Sequence, residues 1–362
     1  MKKFFKFLQC VFSRFLKYIE KKSGILGLML STISIVFAII INNKSNIVLD
    51  QVGYNTNAMI EMLKAQALEI LKSDKLYSDL TIEQKAIISY YNNYNNNPKS
   101  AEEWFLKGYA ITAKDIGYVD DSAITECYEK AISLKPDFAR ALYNMGYINM
   151  QRTNYDKAIE YYEKAIRYKP DYARAYNNMG IAYQKKHDYN KAIECHERAI
   201  EIKYDYAFAY NNMGIAYQKK HDYDKAIKCY EKAIEFAPNL PEAYNNIGLA
   251  YQKRRRHDYD NAIKCYQEAI KYDPKLTQAY YNIGIAYAEG KQNLHKAIEY
   301  FYKTIEVTSH YEEAHGNTGN TYTLCENIEK VIDYCQKGAR LGNEKAQQWL
   351  QWKKENGITW DI

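Results

Sequence analysis

The fifteen residues AYNNMGIAYQKKHDY occupy Ala175–Tyr189 and recur without a change at Ala209–Tyr223, 34 positions further on. A third copy, AYNNIGLAYQKRRRHDY, begins at Ala243 and carries two additional residues in its turn. A fixed period of this length is typical of proteins that stack one supersecondary unit many times. We therefore expect an array of repeats, which grows by adding units, rather than a fold around one central core.

Each unit predicts a pair of antiparallel helices. In the unit that begins at Ala173, a first apolar stripe follows the i, i+3, i+4, i+7 spacing of one helix face, at Tyr176, Met179, Gly180 and Tyr183. Asp188 then stands in a turn where it can cap the following helix. A second stripe comprises Ala192, Ile193, His196, Ala199 and Ile200. A single pair leaves one apolar face uncovered, and the next copy buries it.

This spacing resembles the tetratricopeptide repeat, whose first helix carries a bulky residue, a hydrophobe with Gly, and Tyr. Its second helix carries Ala, an aromatic residue and Ala, and ends at Pro. One copy is supplied by Tyr210, Met213, Gly214, Tyr217, Ala226, Tyr230, Ala233 and Pro238. The resemblance covers residues 101–342, as six recognisable units and an eroded seventh. It implies an all-α, right-handed superhelical solenoid of antiparallel helix pairs.

The units depart from the family pattern at a few places. The first unit is stretched in its turn, and Tyr204 replaces the closing Pro of the unit from Ala173. The two additional residues of the third copy create the basic turn Arg254–Arg255–Arg256. The unit from Thr277 has one additional residue in its turn. We expect a terminal capping helix and tail at residues 343–362, since an array needs a solvated end.

The net charge of +6 belongs to one short segment of the chain. Residues 1–22 carry seven basic side chains and one acidic side chain, which accounts for the whole net charge of +6. Residues 1–23 read as a basic amphipathic tail suited to an anionic membrane surface. In the remaining residues the basic and acidic side chains are equal in number, so that the basic isoelectric point gives no support to a nucleic-acid partner.

The next segment predicts a membrane anchor at residues 24–42. Gly24–Ile41 contains no charged residue, and a helix of this length spans about 27 Å, close to the thickness of a hydrocarbon core. A cleaved signal peptide is the alternative, against which stand the long apolar run and the lack of a small-residue cleavage site. Residues 43–100 form a helical connecting region and linker.

The charges on either side of the anchor predict its orientation. Seven basic residues precede the span, whereas only Lys44 follows closely, so the amino terminus should be cytoplasmic. The repeats are then extracytoplasmic, and periplasmic if the cell is bacterial.

The face of the first helix opposite the packing stripe carries three ladders of residues. On a 100° wheel they are Asn144, Asn178, Asn212, Asn246 and Asn282, then Ile181, Ile215 and Leu249, and finally Lys185, Lys219 and Lys253. In the family this side lines a concave groove that holds extended peptides. Amide side chains can bond a peptide backbone, and lysines favour acidic ligands. The alternatives are that the asparagines bond helix to helix and that the lysines are merely solvated.

The sequence gives little support to a catalytic function or a metal site. No nucleophile setting, phosphate loop or acid–base constellation is present, so we predict no catalytic residue, cofactor or small-molecule substrate. His187, His221 and His257 lie one repeat apart, too far for a metal site. Cys195, Cys229 and Cys265 occupy the same place in three successive repeats and are expected to be buried and reduced.

The sequence therefore predicts a membrane-anchored scaffold that binds protein or peptide segments and is not an enzyme. Two alternatives stay open: an organelle import or co-chaperone-type receptor with a cytosolic array, and the substrate-recruiting subunit of an enzyme with a separate catalytic chain. The carboxylate clamp of chaperone-binding relatives, Lys followed four residues later by Asn, is absent because Asn177 and Ile181 occupy those places.

Overall fold

The computed structural model of the chain describes residues 63–70, 80–81, 84–85, 87–88, 98–114, 121–254, 257–308 and 336–355. All regular secondary structure in these ranges is helical. The expected tail at 1–23 and anchor at 24–42 lie outside them, and among the helices that are described none is both long and apolar enough to cross a membrane. The chain divides into two compact units, residues 1–148 and 149–362.

Thirteen α-helices of the described chain form the repeat region and its end. They are α1 (Ala101–Lys114), α2 (Asp121–Leu134), α3 (Ala139–Gln151), α4 (Tyr155–Tyr168), α5 (Ala173–Lys185), α6 (Tyr189–Ile202), α7 (Ala207–Lys219), α8 (Tyr223–Phe236), α9 (Pro241–Lys253), α10 (Tyr259–Tyr272), α11 (Thr277–Ile285), α12 (Leu294–Val307) and α13 (Glu344–Glu355). A helical segment, residues 63–70, precedes them.

In the first unit, α1 packs against α2 through aromatic side chains. Phe105 is buried between Tyr109 and Tyr128, with ring centroids 5.5 and 5.4 Å away. Glu103 is also buried and accepts from Lys64 at 2.7 Å. Burial by itself would raise the pKa of Glu103. The hydrogen bonds that its carboxylate accepts from Lys64 and from two backbone amides outweigh this effect and lower the pKa to about 2. The stretched turn of this repeat, residues 115–120, is outside the described ranges.

In the second unit, helices alternate as the first and second members of hairpins. Each of the helices from α5 to α12 packs against its neighbours along the chain, and the first helices α5, α7, α9 and α11 also contact one another in sequence. Close approach depends on Gly at the crossing point. A Cβ on Gly214 would stand 2.5 Å from the ring of Tyr230, which is fully buried. The repeat motif therefore describes helix-to-helix contact.

The turn between the two helices of a hairpin uses the HDY triplet in a fixed way. His187 and His221 have φ of 62° and 61°, in the left-handed region, and the aspartate that follows caps the second helix. Asp188 accepts a hydrogen bond from the amide of Lys191, as the sequence predicted, and Asp222 does the same with Lys225, both at 3.2 Å.

The additional residue of the unit from Thr277 lengthens the end of the first helix. α11 ends at Ile285, and residues 286–290 continue as a π-helical turn in which Lys291 donates to the carbonyl of Ala286. A single π turn is the usual way for a helix to absorb one inserted residue. The insertion therefore displaces the helix end and leaves the second helix, α12, in its normal place with Asn293 as its cap.

The helix α13 packs against α12. Asn343 accepts from the amide of Ala346 at 2.9 Å and so begins α13. Ala346 and Ile298 are buried together, with Leu350 packed beside them. The apolar side of the hairpin formed by α11 and α12 thus has a partner within the second unit.

Candidate functional site

The first helices of the second unit present a shared surface, which we call the first-helix face. It carries the predicted Asn, Ile/Leu and Lys rows, which lie at i, i+3 and i+7 along each helix and therefore on one side of it. Its members in this unit are Asn178, Asn212, Asn246, Asn282, Ile181, Ile215, Leu249, Lys185, Lys219 and Lys253. Asn144, the remaining member of the predicted Asn row, is half-buried in the first unit.

The Asn row is tied to the preceding repeat through its amide nitrogens. Asn212 Nδ2 donates to Asn177 Oδ1 at 3.1 Å. The same bond recurs from Asn246 to Asn211 at 3.1 Å and from Asn282 to Asn245 at 3.0 Å. The acceptors Asn177, Asn211 and Asn245 are buried, with only 4–8% of their surface exposed.

These bonds give the Asn row a structural role that the sequence left as an alternative. One N–H of each amide is used between repeats. The half-buried Asn212 and Asn246 keep a second N–H and an Oδ1 atom that has no donor among the described residues. Asn178 Oδ1 accepts from Asn177 at 3.3 Å, and the buried Asn282 accepts from Gln278 at 3.2 Å. Asn212 and Asn246 can thus both donate to a ligand and accept from it.

The glutamines one turn further along tie the two helices of a hairpin together. Tyr230 donates to Gln218 Oε1 at 3.0 Å, and Tyr266 donates to Gln252 Oε1 at 2.9 Å. The apolar row between them is half-buried. Ile215, for example, packs against the cluster around Ile227 and Ile247. Both rows therefore support the face as well as forming part of its surface.

The lysine row is the exposed part of the face. Lys185, Lys219 and Lys253 are exposed, and in the part of the chain that the structure describes their ammonium groups make no ion pair or hydrogen bond. The lysine after this row behaves differently. Lys220 donates to Asn190 at 2.6 Å, and its counterparts Lys186 and Lys291 pair with Asp156 and Asp260 of the preceding second helices. These bonds connect neighbouring repeats, as the Asn bonds do.

An open depression lies beside the first member of the lysine row. It has a volume of about 530 Å³ and is formed by one turn together with the end of α5. Its lining consists of Thr153, Asn154, Tyr155, Asp156, Lys157, Lys185 and Lys186. Most of the lining side chains are polar or charged and the depression is open to solvent, so it is not an enclosed pocket for a small molecule.

One buried position differs from its equivalents. His196 occupies the place where the next two units have Tyr230 and Tyr266, and all three side chains are fully buried. Gln184 Nε2 lies 3.1 Å from His196 Nε2 and donates to the carbonyl of Asn212 at 2.6 Å. The Gln nitrogen is therefore the donor to His196 Nε2, which puts the imidazole proton on Nδ1, an atom without a partner among the described residues. Desolvation lowers the pKa of His196 to about 3.

The structure brings no metal-ligating group together in the ranges that it describes. The turn histidines interact locally: His187 and His221 contact the hydroxyls of Tyr189 and Tyr223 through Nδ1 at 2.8 and 3.0 Å. Cys195 and Cys229 are buried, as expected, and burial raises the pKa of each thiol to about 12. Cys265, which was expected to be buried as well, is only half-buried.

Family models described as tetratricopeptide repeat match residues 137–205, 171–239, 205–275 and 248–308. Residues 137–308 therefore match models of the tetratricopeptide repeat. The models that match this region are repeat models, with no catalytic family among them. A search among curated proteins gave no match to the sequence.

Solved structures with a similar fold include other repeat arrays. The Cut9–Hcn1 structure is 17% identical, with a TM-score of 0.55, and the match covers 72% of this chain and 52% of that one. PilF of Pseudomonas aeruginosa is 17% identical, with a TM-score of 0.51 and coverage of 59% and 97%. YrrB, described as a TPR protein with an unusual peptide-binding site, is 25% identical, with a TM-score of 0.42 and coverage of 52% and 96%. The first two show that this chain shares their all-helical fold.

Proposed function

We propose that the chain is a non-enzymatic scaffold that binds an extended segment of another protein on the first-helix face and is anchored in a membrane through residues 24–42. The observation that carries the binding proposal is the repetition of the face. Asn, Ile and Lys return in register in the units of α5 and α7, and Leu replaces Ile in the unit of α9. A surface that repeats in this way suits a ligand that is itself regular, and a peptide backbone is regular in any sequence.

Position-dependent photocrosslinking tests the binding proposal. A photoreactive residue at Lys219 lies on the first-helix face, is exposed and disturbs none of the described hydrogen bonds. Lys228, exposed on the second helix α8, provides the matched control. We expect the probe at Lys219 to capture one or a few proteins that the probe at Lys228 does not. Equal capture from both positions, or capture from neither, contradicts binding on this face.

Site-directed labelling tests the orientation. Lys228→Cys provides an exposed thiol, whereas Cys195 and Cys229 are buried with raised pKa and should react slowly. In intact cells that express the chain, we expect a membrane-impermeant maleimide to label Lys228→Cys. Protection in intact cells, with labelling after permeabilisation, favours the cytosolic array of an import-type receptor. Release of the chain from membranes by carbonate at high pH argues against the anchor.

A further inference from the structure

The second unit separates its charges between the two sets of helices. The first helices α5, α7, α9 and α11 contain a single carboxylate, Glu242, against the four cations Arg174, Lys185, Lys219 and Lys253. Each of the second helices α6, α8, α10 and α12 contains at least two carboxylates. The first-helix face is therefore positive, although the repeats as a whole are nearly neutral.

Several lysines of the second helices have carboxylate partners. Lys164, Lys232 and Lys303 pair with carboxylates of their own helix at 2.6, 2.7 and 2.6 Å. Lys228 and Lys264 make no ion pair among the described residues, but their helices α8 and α10 contain as many carboxylates as lysines. The lysine row of the first-helix face has no partner among the described residues, so that its charges are available to a ligand.

The spacing of the row matches an extended peptide. Consecutive first helices are joined directly by the Asn bonds of 3.0–3.1 Å, and packed helices have axes about 8–10 Å apart. A chain in the extended polyproline II conformation advances about 3.1 Å per residue and returns to the same side every three residues, so that side chains on one side are roughly 9 Å apart. A carboxylate at every third residue of such a ligand would meet successive lysines.

The half-buried asparagines fit a peptide backbone better than a nucleic acid. Asn212 and Asn246 each use one N–H on the preceding repeat and keep a second N–H and an Oδ1 acceptor. A peptide backbone supplies both donors and acceptors at regular intervals, whereas a phosphodiester backbone supplies only acceptors. The combination of a cationic row with these amides thus favours an acidic peptide.

We propose that the ligand of the first-helix face is an acidic, extended peptide segment whose carboxylates, about three residues apart, bind Lys185, Lys219 and Lys253. This proposal rests on the binding function proposed above and names its ligand class. The footprint ends after the third lysine, because the following unit has Glu289 in its π-helical turn where the others have Lys.

Synthetic peptides provide the test. The probe is a fluorescent twelve-residue peptide of Gly and Ser with Asp at every third position, and its Asn counterpart is the reference. Binding is measured by anisotropy with the purified full chain in a non-ionic detergent at two salt concentrations. We expect the Asp peptide to bind more tightly than the Asn peptide, with an affinity that falls as salt is raised. The triple variant Lys185→Gln, Lys219→Gln, Lys253→Gln should weaken it by about tenfold.

Two matched variants control for net charge and for folding. Lys→Arg at the same three positions should restore binding, and Lys225→Gln, Lys228→Gln, Lys264→Gln on the second helices should change it less than about twofold. Equal binding of the Asp and Asn peptides overturns the proposal, as does an equal loss in the second-helix control. Tighter binding of oligothymidylate of the same charge also overturns it. If the probe at Lys219 still captures a protein selectively, the binding function stands and only the acidic ligand is wrong.

Discussion

His196 is the residue at which one repeat differs in chemistry from its neighbours. Its side chain is fully buried, with the Nδ1 proton unpaired, and a buried donor without an acceptor costs about 1–3 kcal/mol. Gly180 stands against its ring as Gly214 stands against Tyr230, with virtual Cβ distances of 2.6 and 2.5 Å. The equivalent slot in the next unit holds Tyr230, whose hydroxyl donates to Gln218, so we expect Tyr at position 196 to bond Gln184 in the same way.

We predict that His196→Tyr stabilises the chain and removes a pH dependence. Burial depresses the pKa of native His196 to about 3, whereas an unfolded His titrates near 6.5. At pH values between these two pKa values, the unfolded state binds a proton that the folded state does not bind. The contribution of neutral His196 to the free energy of unfolding is therefore at its full value above about pH 6.5 and decreases as the pH falls. The loss is about 1.4 kcal/mol per pH unit. Urea unfolding at pH 5.5 and 7.5 measures it, and Tyr230→His should create the same dependence in the next repeat.

At the turn histidine, whose backbone is left-handed, we predict that Gly is more stable than Ala, the reverse of their order in a helix. At His221, φ is 61°, a region that costs residues with a Cβ about 1–2 kcal/mol. We therefore expect His221→Gly to be more stable than His221→Ala by about 1 kcal/mol, as measured by thermal unfolding. The same pair of substitutions at the exposed helical residue Lys228 should show Ala as the more stable. Equal stability of the two His221 variants would mean that the turn relaxes.

At the scale of the elements, the hairpin and much of its surface could be predicted from the sequence. The apolar stripe that contains Tyr183 follows from local periodicity, and the cap Asp188 follows from turn chemistry. Both could be predicted because they depend on residues that are close together in the sequence. The pairing of Asn245 with Asn282 could not be derived, because it depends on which residues of two different repeats meet across an interface. The π turn after Ile285 escaped prediction for a related reason: a single inserted residue can enter either a loop or a helix end.

The inter-repeat Asn bond is expected to be a measurable part of the repeat interface. Asn245→Ala leaves Asn282 Nδ2, which is buried, without its acceptor at 3.0 Å. We expect a loss of about 1–3 kcal/mol in the free energy of unfolding. The double variant Asn245→Ala, Asn282→Ala should lose less than the sum of the single variants, because it removes both partners. Strict additivity in urea titrations would show that the two amides do not interact.

At the scale of the whole molecule, stability in the second unit is shared between neighbours. The described helices from α5 to α12 pack against the next helix and, for the first helices, the next but one. The loss of stability caused by a substitution should therefore extend only to adjoining repeats. We predict that Tyr230→Ala, which empties a fully buried site and removes the bond to Gln218, costs about 3–5 kcal/mol locally. Hydrogen exchange read by mass spectrometry should show lost protection in α7 and α8, with most protection kept in α12. A uniform loss across α5–α12 would instead mean that the unit unfolds as one cooperative body.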